Sequence, residues 1–423
     1  MSSNCAAPRP RFTRSQVGLL TLLTLSVFIN YIDRGNLSIA APMLKDELRL
    51  SASQLGMLLS SFFWTYACFQ LLSGWLVDRF EVNWIIAAGF FLWSSATAAT
   101  GAVRGFAALL AARLVLGIGE SVAYPSYSKI LARNFPEVQR GFANAAITSG
   151  LACGPAFGML AGGMLMSRFG WRPFFIVLGL VSLIWMAPWI RWMPRGQSAD
   201  AAKTRECPSI AEILRQRSAW GTFLGLFCVN YWSYFVLTWM PFYLVRERQF
   251  SMDSMAKIGG AAYILIAIFA ALAGRLSDLW ITGGGTPTLV RKTFSGAGLL
   301  CAGIFVLLCA VANPVLSVIM LMMASISWAM PAANLWAITQ TLAGPQAAGR
   351  WTGLQNFVGN LAGVVAPAVT GLVVDRTGKF FWAFAITAVV CCIGTISWVF
   401  VVGPVKEVAW RRTPRELLSA SPA

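Results

Sequence analysis

The sequence predicts an all-α membrane protein with twelve transmembrane helices in two six-helix bundles. Three observations carry that expectation. Of the 423 residues, 57% are apolar and only 12% are charged, whereas a soluble protein carries about 25% charged residues. The apolar residues fall in twelve windows of roughly 20, the length a helix needs to cross a ~30 Å hydrocarbon core. Finally, "GWLVDRF" at 74–80 is echoed by "GRLSDLW" at 274–280, at the ends of the second and eighth windows, where a duplicated six-helix unit would place it.

The windows begin near Val17, Gln54, Trp84, Phe106, Gly141, Trp171, Ala219, Met255, Thr293, Pro314, Thr352 and Phe380. They take up most of the chain and leave no room for a large soluble domain. The first bundle is expected over 1–190 and the second over 219–423. The stretch between them, 191–218, is polar, basic and contains Pro, Gly and Ser. It reads as a cytoplasmic linker with a short surface helix near Ile210–Leu214. A second, weaker echo relates "GGMLMSRFG" (162–170) to "TGLVVDRTG" (370–378). Two bundles related by a repeat are a common transporter plan, with a site at mid-membrane between them.

The net charge of +17 raises nucleic acid as a partner, but its distribution argues against one. Most of the 33 Lys and Arg fall in the loops and tails on the side of the N-terminus. By the positive-inside rule both termini are then cytoplasmic, in a multi-pass protein of the cell (inner) membrane. The basic surplus orients the chain and is available to anionic lipid. The N-terminal "MSSNCAAPRPRFTRSQ" precedes an apolar run too long for a signal peptide, so no cleavage is expected. The nine cysteines are scattered, no CxxC pair occurs and the chain has no histidine. No metal site, disulfide framework or cofactor is therefore expected. With no Gly-rich phosphate loop either, an enzyme or a primary pump is disfavoured. A monomer is expected.

Four ionisable groups fall well inside the predicted spans. Asp33 and Arg34 lie in "FINYIDRGNLSIAAP" (28–42), and Arg113 and Glu120 in "RLVLGIGESVAYP" (113–125). Each costs roughly 2.5–3.5 kcal/mol at a helix centre, on the order of 10 kcal/mol for all four before pairing. Arg113 and Glu120 are nearly two helical turns apart, so they share a face at a separation of ~10 Å. Each needs something from another helix, and Asp33 and Arg34 are the charged candidates. Gly117 and Gly119 between them allow a helix to approach closely, and Pro125 interrupts the backbone ladder. From the residues alone, a packing network of salt bridges and a ligand site both remain open.

Together, "NYIDRGNLSIAAP" and "RLVLGIGESVAYP" resemble the anion:cation symporter family of the major facilitator superfamily. That family includes bacterial sugar-acid transporters and is related to sialin and the vesicular glutamate transporters. The resemblance covers essentially the whole chain, and the Y-x-D-R and R-x6-E-x4-P patterns are its most specific parts. It implies the major facilitator fold, Arg34 and Arg113 binding a substrate carboxylate, Asp33 and Glu120 handling protons, and Tyr31 and Tyr66 lining the cavity. Two features depart from the pattern. Leu151, in "ITSGLACGP", stands where sugar-acid transporters often carry glutamine, and "DRFEVNW" lacks the further basic residues usual after the Asp-Arg pair.

Chemistry points the same way. Import of a monovalent anion works against an inside-negative potential at about 2.3 kcal/mol per 100 mV. One proton makes the step electroneutral, and two let the potential drive it. Without histidine the carriers should be carboxylates. Carboxylates also bind Na⁺, so sodium stays open as the coupling ion. The expected partners are a small organic anion, protons and the bilayer.

The second half offers no charge deep in a span, but it has Asn230, Tyr231, Tyr234, Asn334, Gln340, Gln355, Asn356 and Asn360. Buried amides and phenols suit hydroxyl or carbonyl groups. Asn334, Asn356 and Asn360 are the candidates for contacting the rest of the substrate, and Asn356 and Asn360 share a helix face. Asp78, with Arg79 beside it, and Asp278 are expected to follow helix C-termini, where a lone carboxylate is unfavourable. Paired across the cytoplasmic face, they would gate the inner side.

A second reading comes from "GLACGPAFGMLAGG", 150–163. It resembles the Gly-Pro motif of drug:proton antiporters of the same superfamily, although small residues at this spacing also simply pack helices. Two central arginines argue against cationic substrates. A non-transporting sensor is disfavoured by the short tails. The expectation is a secondary active importer of a small organic anion, coupled to protons by alternating access.

Overall fold

A computed structural model describes residues 12–135, 137–193 and 208–410. Twelve long helices run through it. They are α1 (Arg14–Leu48), α2 (Ala52–Arg79), α3 (Val82–Ala102) and α4 (Phe106–Ser121 with Ala123–Asn134). Next come α5 (Glu137–Phe157, then a π-turn Gly158–Gly162 and Gly163–Phe169) and α6 (Trp171–Leu183 with Met186–Trp192). A short helix, Ile210–Leu214, precedes α7 (Arg217–Phe242) and α8 (Met252–Thr282). The last four are α9 (Pro287–Val311), α10 (Pro314–Gly344), α11 (Arg350–Thr377) and α12 (Phe381–Ile396). Among the described residues, eleven spans are long and apolar enough to cross a membrane. Ala52–Arg79 is a twelfth helix of 28 residues.

Local chemistry sets the helix starts. Thr13 and Ser51 close capping boxes with Gln16 and Gln54, satisfying two otherwise orphaned N–H groups at each end. Thr286 and Asn313 cap α9 and α10, each followed by a proline, which needs no N–H donor in the first turn. The run from Pro314 to Thr377 turns at Gly344, with φ 62° and ψ 179°, a backbone that glycine adopts without steric cost.

The chain divides into two compact units. The first is Met1–Ser198 with Leu244–Gly260, and the second is Ala199–Tyr243 with Ala261–Ala423. Leu244–Gly260 joins the first unit through several contacts. Arg246 ion-pairs with Asp46 and donates to the Pro42 carbonyl at 3.2 Å, and the Ser167 hydroxyl donates to Asp253 at 2.7 Å.

Within the first unit the small residues of α5 press on α1. A Cβ on Gly154 would collide with Tyr31 and the Phe28 carbonyl, and one on Gly150 with the Thr24 carbonyl. "GLACGPAFGMLAGG" thus serves helix packing here. On the other side, Trp185 stacks between Phe90 (4.2 Å) and Trp189 (4.9 Å), and its Nε1 donates to the Leu22 carbonyl at 2.8 Å. Arg172 clamps three helices at one end. It reaches Glu47 at 2.8 Å and the Gly101 and Val103 carbonyls at 3.2 and 2.6 Å.

In the second unit, indoles tie helices through backbone acceptors. Trp328 donates to the Val229 carbonyl at 2.9 Å, and Trp239 to the Pro367 carbonyl at 3.1 Å. The chain after α12 runs as a strap across helix ends. The Gly403 N–H donates to Ser218 Oγ (3.0 Å) and the Val405 N–H to Thr288 Oγ1 (2.9 Å). Further along, the Val408 N–H donates to the Leu342 carbonyl (2.9 Å) and Trp410 Nε1 to the Ala343 carbonyl (3.0 Å).

Candidate functional site

The four membrane-embedded charges all point into the first unit. Asp33 is 1% exposed, Arg34 7%, Arg113 3% and Glu120 0%. None faces lipid, so the insertion cost of each must be met inside the protein. Arg34 Nε donates to Glu120 Oε2 at 2.8 Å, a charge-assisted bond between α1 and α4. The guanidinium of Arg34 is also caged by rings. Its Cζ lies 4.5 Å from the Tyr66 centroid, 4.6 Å from Tyr31 and 5.3 Å from Phe62. These distances are within the range of cation–π attraction.

Arg113 is held differently. Its Cζ stands 5.2 Å from the Phe62 centroid, and no carboxylate lies within ion-pair distance of it among the described residues. Phe62 thus lies against both guanidiniums. Asp33 has no hydrogen bond of ordinary geometry at either oxygen. Thr97 lies beside it, and the charges of Glu120 and Arg113 reach it through space.

Backbone features place these groups. Pro125 lacks an N–H, so α4 breaks at Val122 just after Glu120. Gly117 lets α2 approach: a Cβ there would collide with the Phe62 carbonyl and the Thr65 hydroxyl. Gly119 does the same for α3 at Trp93. Thr65 Oγ1 donates to the Leu114 carbonyl at 2.8 Å and fixes that crossing. The rings are fixed in turn. Gln70 Nε2 donates to the Tyr66 hydroxyl at 3.0 Å, and the Tyr31 and Tyr124 hydroxyls share a bond of 3.2 Å.

In the second unit Asn334 is buried. It accepts from the Ser277 hydroxyl at 2.7 Å and donates to the Met330 carbonyl at 3.2 Å. Asn360 accepts from the Tyr234 hydroxyl at 2.7 Å and donates to the Asn356 carbonyl at 2.9 Å. Asn356 itself is half-buried. Two of the three amides expected to contact substrate are therefore engaged by neighbours.

The gate candidates fall differently from expectation. Asp78 and Asp278 do not follow helix ends. They lie within α2 and α8, because those helices run on to Arg79 and Thr282. Asp278 is exposed, and the side chain of Asp78 lies outside the described ones. Arg79 is exposed and stands 5.5 Å over the Trp75 ring. The α2 terminus is instead capped by Lys129, which donates to the Val77 carbonyl.

Phe62, Tyr124 and Asn30 belong to the site but are absent from the sequence reading. One signal each pointed to Phe62 and Asn30, and none to Tyr124. Phe62 precedes Tyr66 by one turn on α2. "NYIDR" at 30–34 recurs as "NYWSY" at 230–234, in the same register as Gly74 and Gly274.

Comparison with known proteins agrees with this architecture. The family model described as "Major Facilitator Superfamily" matches residues 23–367. The chain is 30% identical over 412 residues to the hexuronate transporter of Bacillus subtilis (strain 168), covering 93% of this chain and 96% of that protein. It is also 30% identical over 400 residues to the chloroplastic ascorbate transporter of Arabidopsis thaliana, covering 90% and 74%. Its fold is like that of a bacterial homolog to the human lysosomal transporter Spinster, with TM-score 0.79 at 20% identity over 93% of this chain and 98% of that one. Twelve long helices, the buried charges on α1 and α4, and a family match across most of the length make this chain a member of the major facilitator superfamily, a family of transporters and not of enzymes.

Proposed function

We propose that the protein imports a small organic anion, a carboxylate such as a sugar acid, together with protons by alternating access. It would sit in the inner membrane with both termini cytoplasmic. The observation that carries this reading is the unequal pair of buried arginines. Arg34 is neutralised by Glu120 at 2.8 Å, while Arg113 stands against the face of Phe62 at 5.2 Å, with no carboxylate at ion-pair distance among the described residues. A buried guanidinium without an acid in its plane is a docking point for a carboxylate, which it can hold through two parallel N–H bonds. The chain's likeness to transporters of hexuronate and ascorbate supports an acidic substrate.

Coupling follows from competition. A carboxylate that reaches Arg113 and draws Arg34 toward itself removes the counter-charge of Glu120. An uncompensated buried carboxylate is costly, so Glu120 then takes a proton. By linkage, protonation of Glu120 frees Arg34 and tightens anion binding by the same factor. Asp33, beside Thr97 and without a cation in contact, is the second proton carrier. Tyr31 and Tyr66 flank the bound anion in the first unit, and Asn334, Asn356 and Asn360 are the candidates for substrate contact in the second. Asp78, Arg79 and Asp278, near the ends of α2 and α8, are the gate.

The test is reconstitution in liposomes with separately imposed pH and sodium gradients. Glu120→Gln should abolish pH-driven accumulation yet keep exchange of labelled substrate. Arg113→Ala should lose anion binding. Unchanged pH-driven uptake in the first variant, or unchanged affinity in the second, overturns the reading.

A further inference from the structure

Phe62, on α2, is fully buried, and two guanidiniums face its ring. That of Arg113 lies 5.2 Å from the centroid and that of Arg34 5.3 Å. The two cations depend on it unequally. Arg34 also bonds Glu120 and lies over Tyr31 and Tyr66. Among the described residues Arg113 lies over no other ring. Its Nε is buried and has no hydrogen-bond partner.

A ring is suited to this place. An acid there would neutralise Arg113 and occupy the N–H edge that an anion needs. An aliphatic side chain would leave a buried charge with nothing to stabilise it. The face of an aromatic ring attracts a cation, and Phe has no acceptor atom with which to claim an N–H. The guanidinium is therefore held by its face, and its in-plane donors stay available for a carboxylate. The ring itself is fixed. It stacks on Tyr66 at 5.2 Å and meets Phe63 edge-on at 4.9 Å. The Phe62 carbonyl abuts Gly117, one turn from Arg113 on α4, so ring and guanidinium ride on two helices in tight contact.

The same unit holds rivals for Arg113. Both carboxylate oxygens of Asp33 and Glu120 Oε1 are buried without hydrogen-bond partners. A guanidinium released from the ring would relieve its own burial by pairing with one of these acids. Its edge would then be closed to the substrate. We propose that Phe62 is a positioning residue for the substrate anion, holding Arg113 by the face, off the buried acids, with its N–H edge open. This rests on the reading of Arg113 as the docking point of the anion.

The experiment places mono-, di- and trifluorinated phenylalanine at position 62. Fluorine withdraws electron density from the ring face with little change of shape. KM and Vmax are measured for uptake of labelled hexuronate into liposomes under a fixed pH gradient. The same series at Phe90 is the control, because that ring is equally buried and stacks on Trp185, with no cation over it among the described residues. Support requires KM to rise stepwise with fluorine at Phe62, by about tenfold at the end of the series, with Vmax little changed and the Phe90 series flat. Phe62→Leu should match or exceed that rise, and the fluorinated series stands alone should the leucine variant not assemble. A ring that only stabilised the empty cation would oppose anion binding, so weakening it would lower KM. A falling KM, or one that does not move, overturns the role of Phe62. Arg113→Ala with the wild-type KM overturns the reading of Arg113 instead.

Discussion

Gly117→Ala tests whether the close approach of α2 and α4 builds the site. The added methyl would collide with the Phe62 carbonyl oxygen and the Thr65 hydroxyl, and would lie 3.1 Å from the Tyr66 N. Two of these three atoms are backbone and cannot rotate away. The helices must therefore part by on the order of 1 Å to regain ordinary contact of about 3.5 Å. Overpacking of this kind costs about 1–3 kcal/mol, and a rigid carbonyl in the way puts it near the upper end. Phe62 and Tyr66 ride on the displaced helix, and they flank Arg34 and Arg113. A misplacement of about 1 Å at a positioned group can cost around 100-fold in rate. The assay is paired: thermal unfolding in detergent, and initial uptake of labelled anion in liposomes. Gly18→Ala is the control. Nothing lies within 4 Å of its added methyl, so it should gain about 0.5–1 kcal/mol from reduced backbone freedom. If Gly117→Ala unfolds at the wild-type temperature and transports at the wild-type rate, the packing argument fails.

Two further outcomes follow from the frame around the site. Arg172→Ala should lower stability by about 1.5–3 kcal/mol, because it strips donors from two backbone carbonyls as well as Glu47. Glu47→Gln should cost about 1 kcal/mol or less, since that pair is partly solvated; equal losses in thermal unfolding would contradict this division. Trp185→Phe keeps the stack on Phe90 but leaves the buried Leu22 carbonyl without its indole donor. It should cost about 1 kcal/mol with transport unchanged, and an unaltered unfolding midpoint would assign the residue to stacking alone.

Much of the architecture was legible because hydrocarbon imposes strict rules. Apolar windows of spanning length, and the expense of burying charge, located twelve helices and singled out Asp33, Arg34, Arg113 and Glu120. The glycines between Arg113 and Glu120 announced a close crossing, and Gly117 and Gly119 provide it against α2 and α3. The pairing itself was not legible. Asp33 and Arg34 are neighbours in sequence but point about 100° apart on a helix, so Arg34 bonds the distant Glu120 and not the adjacent acid. The amides of the second half carried too little information. Whether Asn334 and Asn360 are open or engaged depends on Ser277 and Tyr234, which come from other helices. Asp78 and Asp278 were misplaced by a few residues because helix ends depend on capping partners such as Lys129, and composition does not reveal these.

The strap that follows α12 bears on how the protein can be handled. Leu342 and Ala343, beside the left-handed turn at Gly344, have carbonyls that receive donors from Val408 and Trp410. Trimming the chain before Val402 would take those donors away and uncover the turn. A purification handle or fluorescent fusion therefore belongs beyond Trp410, and a shortened form should not be assumed to report on the behaviour of the intact molecule.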